Sequence, residues 1–369
     1  MSNEKTSLIE RLRNDKSKNK YDPTCYDFIV RQTMQRLGAP LVRFKPHVPY
    51  LINDPLFVFR GDPRYIFHDP LGYKNDALKQ RPQIIVLGNS QVHSLSCPPN
   101  QTWPGLLQNS SGIGTYNAAM GSFSIVQNFL SARELASLKP DLMICVFYTS
   151  NNVINSLPTL RKSTSALKKM FNSYDDTVSM SFQNPDVDPF ASVSPKDKIM
   201  EFMKLAKYEK EHYVTATIDK LIHFSVPAIR SNSQNLKDPY VEVGFNLAKE
   251  ALLKIKKIAD KHTKYGLFLM IMPTKEFVLY NRLLSYGDVK FSSDREMSIL
   301  YENESEVITS LKKHCDKEGM HILDPLSYLI NTMHLPIYNP LNVDGHPSLE
   351  GRTVLAKYVY DFLGKYQVQ

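Results

Sequence analysis

Short, mostly apolar runs separated by helix-length sequence constrain this chain more than any other feature. They are QIIVLG at 83–88, Thr115–Ala118, Leu142–Tyr148 and Leu267–Met272, with a shorter one at His321–Leu323. The longer runs lack the polar–apolar alternation of a strand with one wet face. A strand covered on both faces needs no alternation, and such strands belong to parallel sheets. No run approaches the roughly 18–20 apolar residues of a membrane span. Between the runs lie sequences with helical spacing. Ile125, Phe129, Leu130, Ala132 and Leu135 mark one face within 125–138, and Phe245, Ala248, Ala251, Leu252, Ile255, Ile258 and Ala259 mark another. The spacing predicts further helices over 294–318 and 349–363. Strand followed by helix, repeated, builds β-α-β units and hence an α/β fold around a parallel sheet.

The remainder of the chain is organised around that pattern. Residues 1–62 form an N-terminal extension: the first 20 are polar, and Asp22–Leu37 has the spacing of a short amphipathic helix. Residues 38–80 are rich in Pro, Asp and aromatics and read as irregular or short-stranded. The segment 63–152 is the first part of the main domain. Residues 153–243 are polar, break the pattern and read as a mostly helical insertion or lid, with a helix from Pro195 to about Leu221. The pattern resumes over 244–369.

Composition excludes several classes. Of 369 residues, 42% are hydrophobic and 22% charged, enough to build a core and unlike a disordered chain, a collagen or a coiled coil. Only 15 are glycine, which argues against glycine-rich repeats and multiple phosphate loops. The four cysteines are widely spaced and form no zinc-ligand pattern, so no metal is expected and the thiols read as reduced. The first residues contain no apolar signal stretch, so the sequence points to a cytoplasmic protein. The net charge of +8 suggests a basic surface open to anionic partners. No basic patch interleaved with aromatics supports a specific nucleic-acid module.

Four loops that follow predicted strands carry candidate chemistry. Gly88-Asn89-Ser90 ends the first buried run, and a serine in a tight turn entering a helix has an outward hydroxyl and a free backbone N–H, as a nucleophile requires; a helix N-cap is the plainer reading. Asn117–Ser122 is a small-residue loop whose backbone N–H groups can converge on one point. Tyr148-Thr149-Ser150-Asn151-Asn152 offers an amide side chain that could donate to a developing oxyanion. Near the C-terminus, Asp344 stands two residues before His346, where it could orient the imidazole and leave the other ring nitrogen to take a proton from a serine; Asp-Gly is also an ordinary turn dipeptide. His93, one helical turn past Ser90, and Lys275, after the fourth run, are candidate substrate contacts, as is Asn89.

In this chain order the four loops resemble the SGNH (GDSL-like) hydrolase superfamily, in particular its bacterial branch with an Asp-x-His last block. Asp69-Pro70-Leu71-Gly72-Tyr73, Thr102-Trp103-Pro104, Tyr116-Asn117, Gln127 and Pro273-Thr274-Lys275-Glu276 extend the likeness, which covers roughly 63–153 and 265–364. The resemblance implies a flavodoxin-like three-layer α/β/α sandwich and an ester hydrolase. It implies Ser90 as nucleophile, His346 as general base and acid, and Asp344 as the residue orienting His346. The implied oxyanion hole is the Ser90 N–H, an N–H of Gly121 or Ser122, and the Asn151 side chain. No cofactor is implied. Two departures stand out: Asn89 replaces the usual Asp before the nucleophile, and Ser122 falls where the family places a glycine, with Gly121 one position away. The expected reaction is removal of an O-acyl group, acetyl or another short acyl, from a carbohydrate or small polar metabolite. An O-acyltransferase using the same serine, or a non-catalytic binding protein of the same fold, are the alternatives.

Overall fold

The computed structural model describes residues 51–94, 97–175, 214–218, 221–225, 227–338 and 345–365. The expected helix at 22–37, the first part of the one expected from Pro195, and Asp344 lie outside the described residues. The strands are β1 (Leu51–Asp54), β2 (Val58–Gly61), β3 (Ile84–Leu87), β4 (Thr115–Asn117), β5 (Leu142–Tyr148), β6 (Val214–Ile218), β7 (Leu221–Ser225), β8 (Leu267–Met272), β9 (Val289–Phe291) and β10 (His321–Leu323). The helices of the first half are α1 (Ser90–His93), α2 (Trp103–Ser111), α3 (Ile125–Leu135), α4 (Asn151–Ile154), α5 (Ser156–Lys162) and α6 (Ser165–Lys168). Those of the second half are α7 (Pro227–Asn232), α8 (Pro239–His262), α9 (Lys275–Tyr286), α10 (Asp294–Glu318), α11 (Leu326–Thr332) and α12 (Leu349–Lys365).

Five strands make one sheet in the order β10-β8-β5-β3-β4, every neighbour parallel. Counted in chain order from the β4 edge this is the 2-1-3-4-5 arrangement of flavodoxin-like folds. Alternate residues of each strand face opposite sides, and the core divides accordingly. Ile85, Leu87, Met143, Cys145, Phe147, Leu269 and Ile271 enter one core with residues of α3 and α8. Ile84, Val86, Ile144, Val146, Phe268 and Met270 enter the other with residues of α2, α9 and α12. Burial on both faces explains the unalternated sequences, and gives the three layers expected. Among the described residues no helix is long and apolar enough to cross a membrane.

The helix boundaries follow local chemistry. The Asp238 side chain accepts from the N–H groups of Tyr240 and Val241, and Pro239 takes the first helical position, so α8 begins six residues before its first apolar marker. Ser124 and Gln127 form a reciprocal capping box at the start of α3. The segment after 153 departs from expectation. Val214–Ile218 is a strand and not the end of a helix, because the β-branched Val-Thr-Ala-Thr-Ile run alternates buried and half-buried positions. It pairs antiparallel with β7 and with the short strand β9, forming a second, three-stranded sheet.

Candidate active site

In a 2-1-3-4-5 sheet the chain leaves β3 toward β4 and later crosses to β5 on the other side. Open sheets of this order place their ligand sites beyond the carboxyl ends of the two strands at this switch point, here β3 and β5. Ser90 and Asn151 follow those two strands directly.

Ser90 opens α1. Asn89 is the N-cap, with extended backbone (φ −114°, ψ −152°), and its side chain accepts the Gln91 N–H at 3.0 Å. As the first helical residue, Ser90 has an N–H with no acceptor inside the helix. His346 approaches from the far end of the chain: its Nε2 lies 2.7 Å from Ser90 Oγ, across 256 positions of sequence. That separation is hydrogen-bond distance for a base and its nucleophile. Half-buried, His346 sits in a loop held on both sides. Ser348 N–H donates to the Ile337 carbonyl at 2.9 Å, and Ser348 Oγ to that of Pro336 at 2.7 Å. Pro347 bridges to Tyr338. Gly351 lets this turn close, since a Cβ there would lie 2.0 Å from the Ile337 oxygen.

The small-residue loop after β4 is drawn against the end of β3: Ala118 N–H donates to the Val86 carbonyl at 2.8 Å, and Met120 N–H to that of Gly88 at 3.3 Å. Ser122, not Gly121, adopts the left-handed conformation, with φ +64°. A side chain in that region costs about 1–2 kcal/mol. Ser122 is exposed, so Ser122→Gly removes little contact. The expected result is a net gain of roughly 0.5–1 kcal/mol after the glycine's extra unfolded freedom is counted, read as a raised denaturation midpoint. A lowered midpoint would show that the serine side chain supports the loop.

Asn89 and Asn152 tie these loops together. Asn89 Nδ2 donates to Asn152 Oδ1 at 3.1 Å; the same oxygen accepts the Tyr148 N–H at 2.8 Å, and Asn152 Nδ2 donates to the Phe123 carbonyl at 3.2 Å. The amide at 89 is thus one half of a buried amide pair joining the three loops. Asn151, half-buried at the start of α4, accepts from Ser150 Oγ at 3.4 Å. Sequence reading noticed the Asn151-Asn152 doublet and took only its first member as functional.

His93 and Lys275 are closed to a substrate in this structure. His93 is fully buried, its ring edge-on to His68 at 5.8 Å. Lys275 is equally buried and its Nζ donates to the Phe224 carbonyl at 2.7 Å. The reason is local: α1 turns His93 inward behind Ser90, and β7 covers the start of α9. Beside His93 the buried Lys74 donates to the carbonyls of Ser94 (2.7 Å) and Cys97 (2.9 Å), at the end of α1.

Burial lowers the pKa of all three basic groups, His68 to about 3, Lys74 to about 7 and His93 well below the usual histidine range, the neighbouring Lys74 adding to the effect on both rings. The unfolded histidines bind protons from about pH 6.5 downward while the folded ones stay neutral. Their contribution to stability is therefore full above pH 6.5 and declines as pH falls toward 3. His93→Gln should flatten this decline when unfolding free energies are compared at pH 7 and pH 4.5. Parallel slopes for variant and wild type would remove His93 from the account.

No protein-family model matches the chain, and no curated protein matches it. Solved structures do align with it. A protein described as lipolytic and of the G-D-S-L family, from Desulfitobacterium hafniense, is 10% identical, with a TM-score of 0.37 over 77% of this chain and 99% of that one. An acetylxylan esterase from Geobacillus stearothermophilus is 12% identical, with a TM-score of 0.35 over 78% and 97%. A GDSL-like lipase from Bacteroides thetaiotaomicron is 10% identical, with a TM-score of 0.34 over 78% and 93%. By its own geometry the chain is a flavodoxin-like α/β protein that carries a serine–histidine pair at the switch point of its sheet.

Proposed function

We propose that this chain is a serine esterase of the SGNH type that removes a short O-acyl group from a carbohydrate or small polar metabolite. The observation that carries the reading is the 2.7 Å approach of His346 Nε2 to Ser90 Oγ beyond the carboxyl end of β3. In the reaction Ser90 Oγ bonds to the acyl carbon as its proton passes to His346 Nε2. The tetrahedral oxyanion would be met by the Ser90 N–H, an N–H of the Gly121-Ser122 turn and the Asn151 amide. The C–O bond to the alcohol then breaks and His346 returns its proton to that oxygen. Water, deprotonated by the same nitrogen, attacks the acyl-enzyme, releases the carboxylic acid and restores Ser90. The family resemblance assigns Asp344 to orient His346.

A fluorophosphonate probe tests this directly. Wild-type protein should be labelled covalently at one serine, and Ser90→Ala should not be labelled at all. Folded wild-type protein that resists the probe, or a Ser90→Ala variant that still labels, would overturn the reading.

A further inference from the structure

We infer that Arg230, delivered by α7 from the segment that interrupts the main domain, is a positioning residue that sets the place of His346. The inference rests on the reading of Ser90 and His346 as nucleophile and base.

Two of the three guanidinium nitrogens are tied to the rigid end of the sheet. Arg230 Nε pairs with Glu276 Oε1 at 3.0 Å, and Nη1 donates to the Tyr148 hydroxyl at 2.9 Å. Glu276 is fully buried in the first turn of α9 and Tyr148 is the buried last residue of β5. A planar guanidinium held at two points has its plane fixed. The third nitrogen then faces the loop that carries the base. A Cβ at Gly345 would stand 2.9 Å from Nη2 and 3.5 Å from the Tyr148 oxygen. From the other side, Gln91 of the nucleophile helix reaches the Gly345 carbonyl at 3.5 Å. Gly345 is therefore clasped between the arginine and the helix that holds Ser90, one peptide away from His346.

An ordinary surface ion pair is a poor description of this contact. The Glu276 side chain is 0% exposed and that of Arg230 only 17%. A pair so withdrawn from water gains little stability unless further hydrogen bonds compensate for desolvation. Among the described residues, the second carboxylate oxygen of Glu276 is buried with no hydrogen-bond partner. What the arrangement does provide is a fixed wall at Gly345. It also links the interrupting segment to the reacting pair, so displacement of α7 removes the wall.

The test uses the full chain, p-nitrophenyl acetate as substrate and a fluorophosphonate as an independent probe of serine reactivity. Arg230→Ala should lower kcat and the labelling rate by roughly 10²-fold, the scale of a misplacement of about 1 Å, with KM unchanged within about twofold. Arg230→Lys should not restore the rate, because an ammonium cannot hold Glu276 and Tyr148 in one plane. Gly345→Ala should cost a similar factor in the wild-type background, and less than about threefold in Arg230→Ala, where the added methyl has room. Should Arg230→Ala fold poorly with the Glu276 charge stranded, Arg230→Ala/Glu276→Gln removes both charges and is expected to show the same loss at a near-normal melting temperature. A wild-type protein that neither labels nor hydrolyses sinks the serine reading itself. An active wild type with Arg230 variants of equal kcat, or with additive losses at 230 and 345, sinks only the positioning role.

Discussion

On the proposed reading, His346→Ala should lower kcat/KM on a small acyl ester by roughly 10³- to 10⁶-fold while leaving the melting temperature within a few degrees of wild type. The size follows from the proposed role: without the imidazole 2.7 Å from its oxygen, Ser90 would have no acceptor for its proton and the leaving alcohol no donor. Members of such a pair act as a unit, so Ser90→Ala should cost about as much, and the double variant no more than the worse single one. Additive losses, or a His346→Ala enzyme within tenfold of wild type, would mean that another group takes the proton.

The second large effect concerns stability. Glu304, on α10, is fully buried and lies across the carboxyl ends of β5 and β8. Its carboxylate accepts from the Thr149 hydroxyl, the Thr274 hydroxyl and, at 2.8 Å, the Thr274 N–H. Glu304→Leu keeps the site filled but strands the Thr274 N–H and hydroxyl and leaves the Thr149 hydroxyl only its longer bond to the Met272 carbonyl at 3.3 Å. At about 1–3 kcal/mol each, with partial relief by relaxation, the expected loss is roughly 3–5 kcal/mol, read from urea denaturation. A loss below about 1 kcal/mol would show the threonines finding other partners. Burial raises the pKa of Glu304 above its ordinary value. A raised folded pKa gives stability that is complete below the unfolded pKa and is lost as pH rises through the folded one. Glu304→Gln has no such proton to lose, so its stability should vary less with pH as pH rises above the ordinary carboxyl value of about 4.3.

Much of this architecture was written locally. Leu142–Tyr148 and Leu267–Met272 form strands over the boundaries read from sequence, and α10 spans the expected 294–318. These segments bury every strand residue or one helical stripe, and such burial leaves a direct trace in the order of apolar residues. The meeting of Ser90 and His346 was legible only through the resemblance that the four loops together carry; the strand-end turn and the C-terminal loop, each alone, are common local patterns. Other parts left no such trace. The left-handed turn falls at Ser122 where the glycine beside it offered an equally good register. The pairing of Asn89 with Asn152 is a hydrogen bond between distant amides, and no periodicity encodes it. Arg230 sits in a polar stretch without pattern; its place depends on α7 docking beside α10 and on Glu276 being buried, both tertiary events. The strand β9 is three residues long, too short for alternation to register.

The 256 positions between Ser90 and His346 also bear on when the proposed chemistry could begin. A polypeptide emerging from the ribosome completes β3, α1 and the Asn117–Ser122 loop early, while the His346 imidazole is still unsynthesised. The hydroxyl is then an unactivated alcohol in a half-built sheet. On the proposed reading, reactivity would switch on only when the tail folds back and α12 docks against α2, so a truncated or stalled product would carry Ser90 but stay chemically silent.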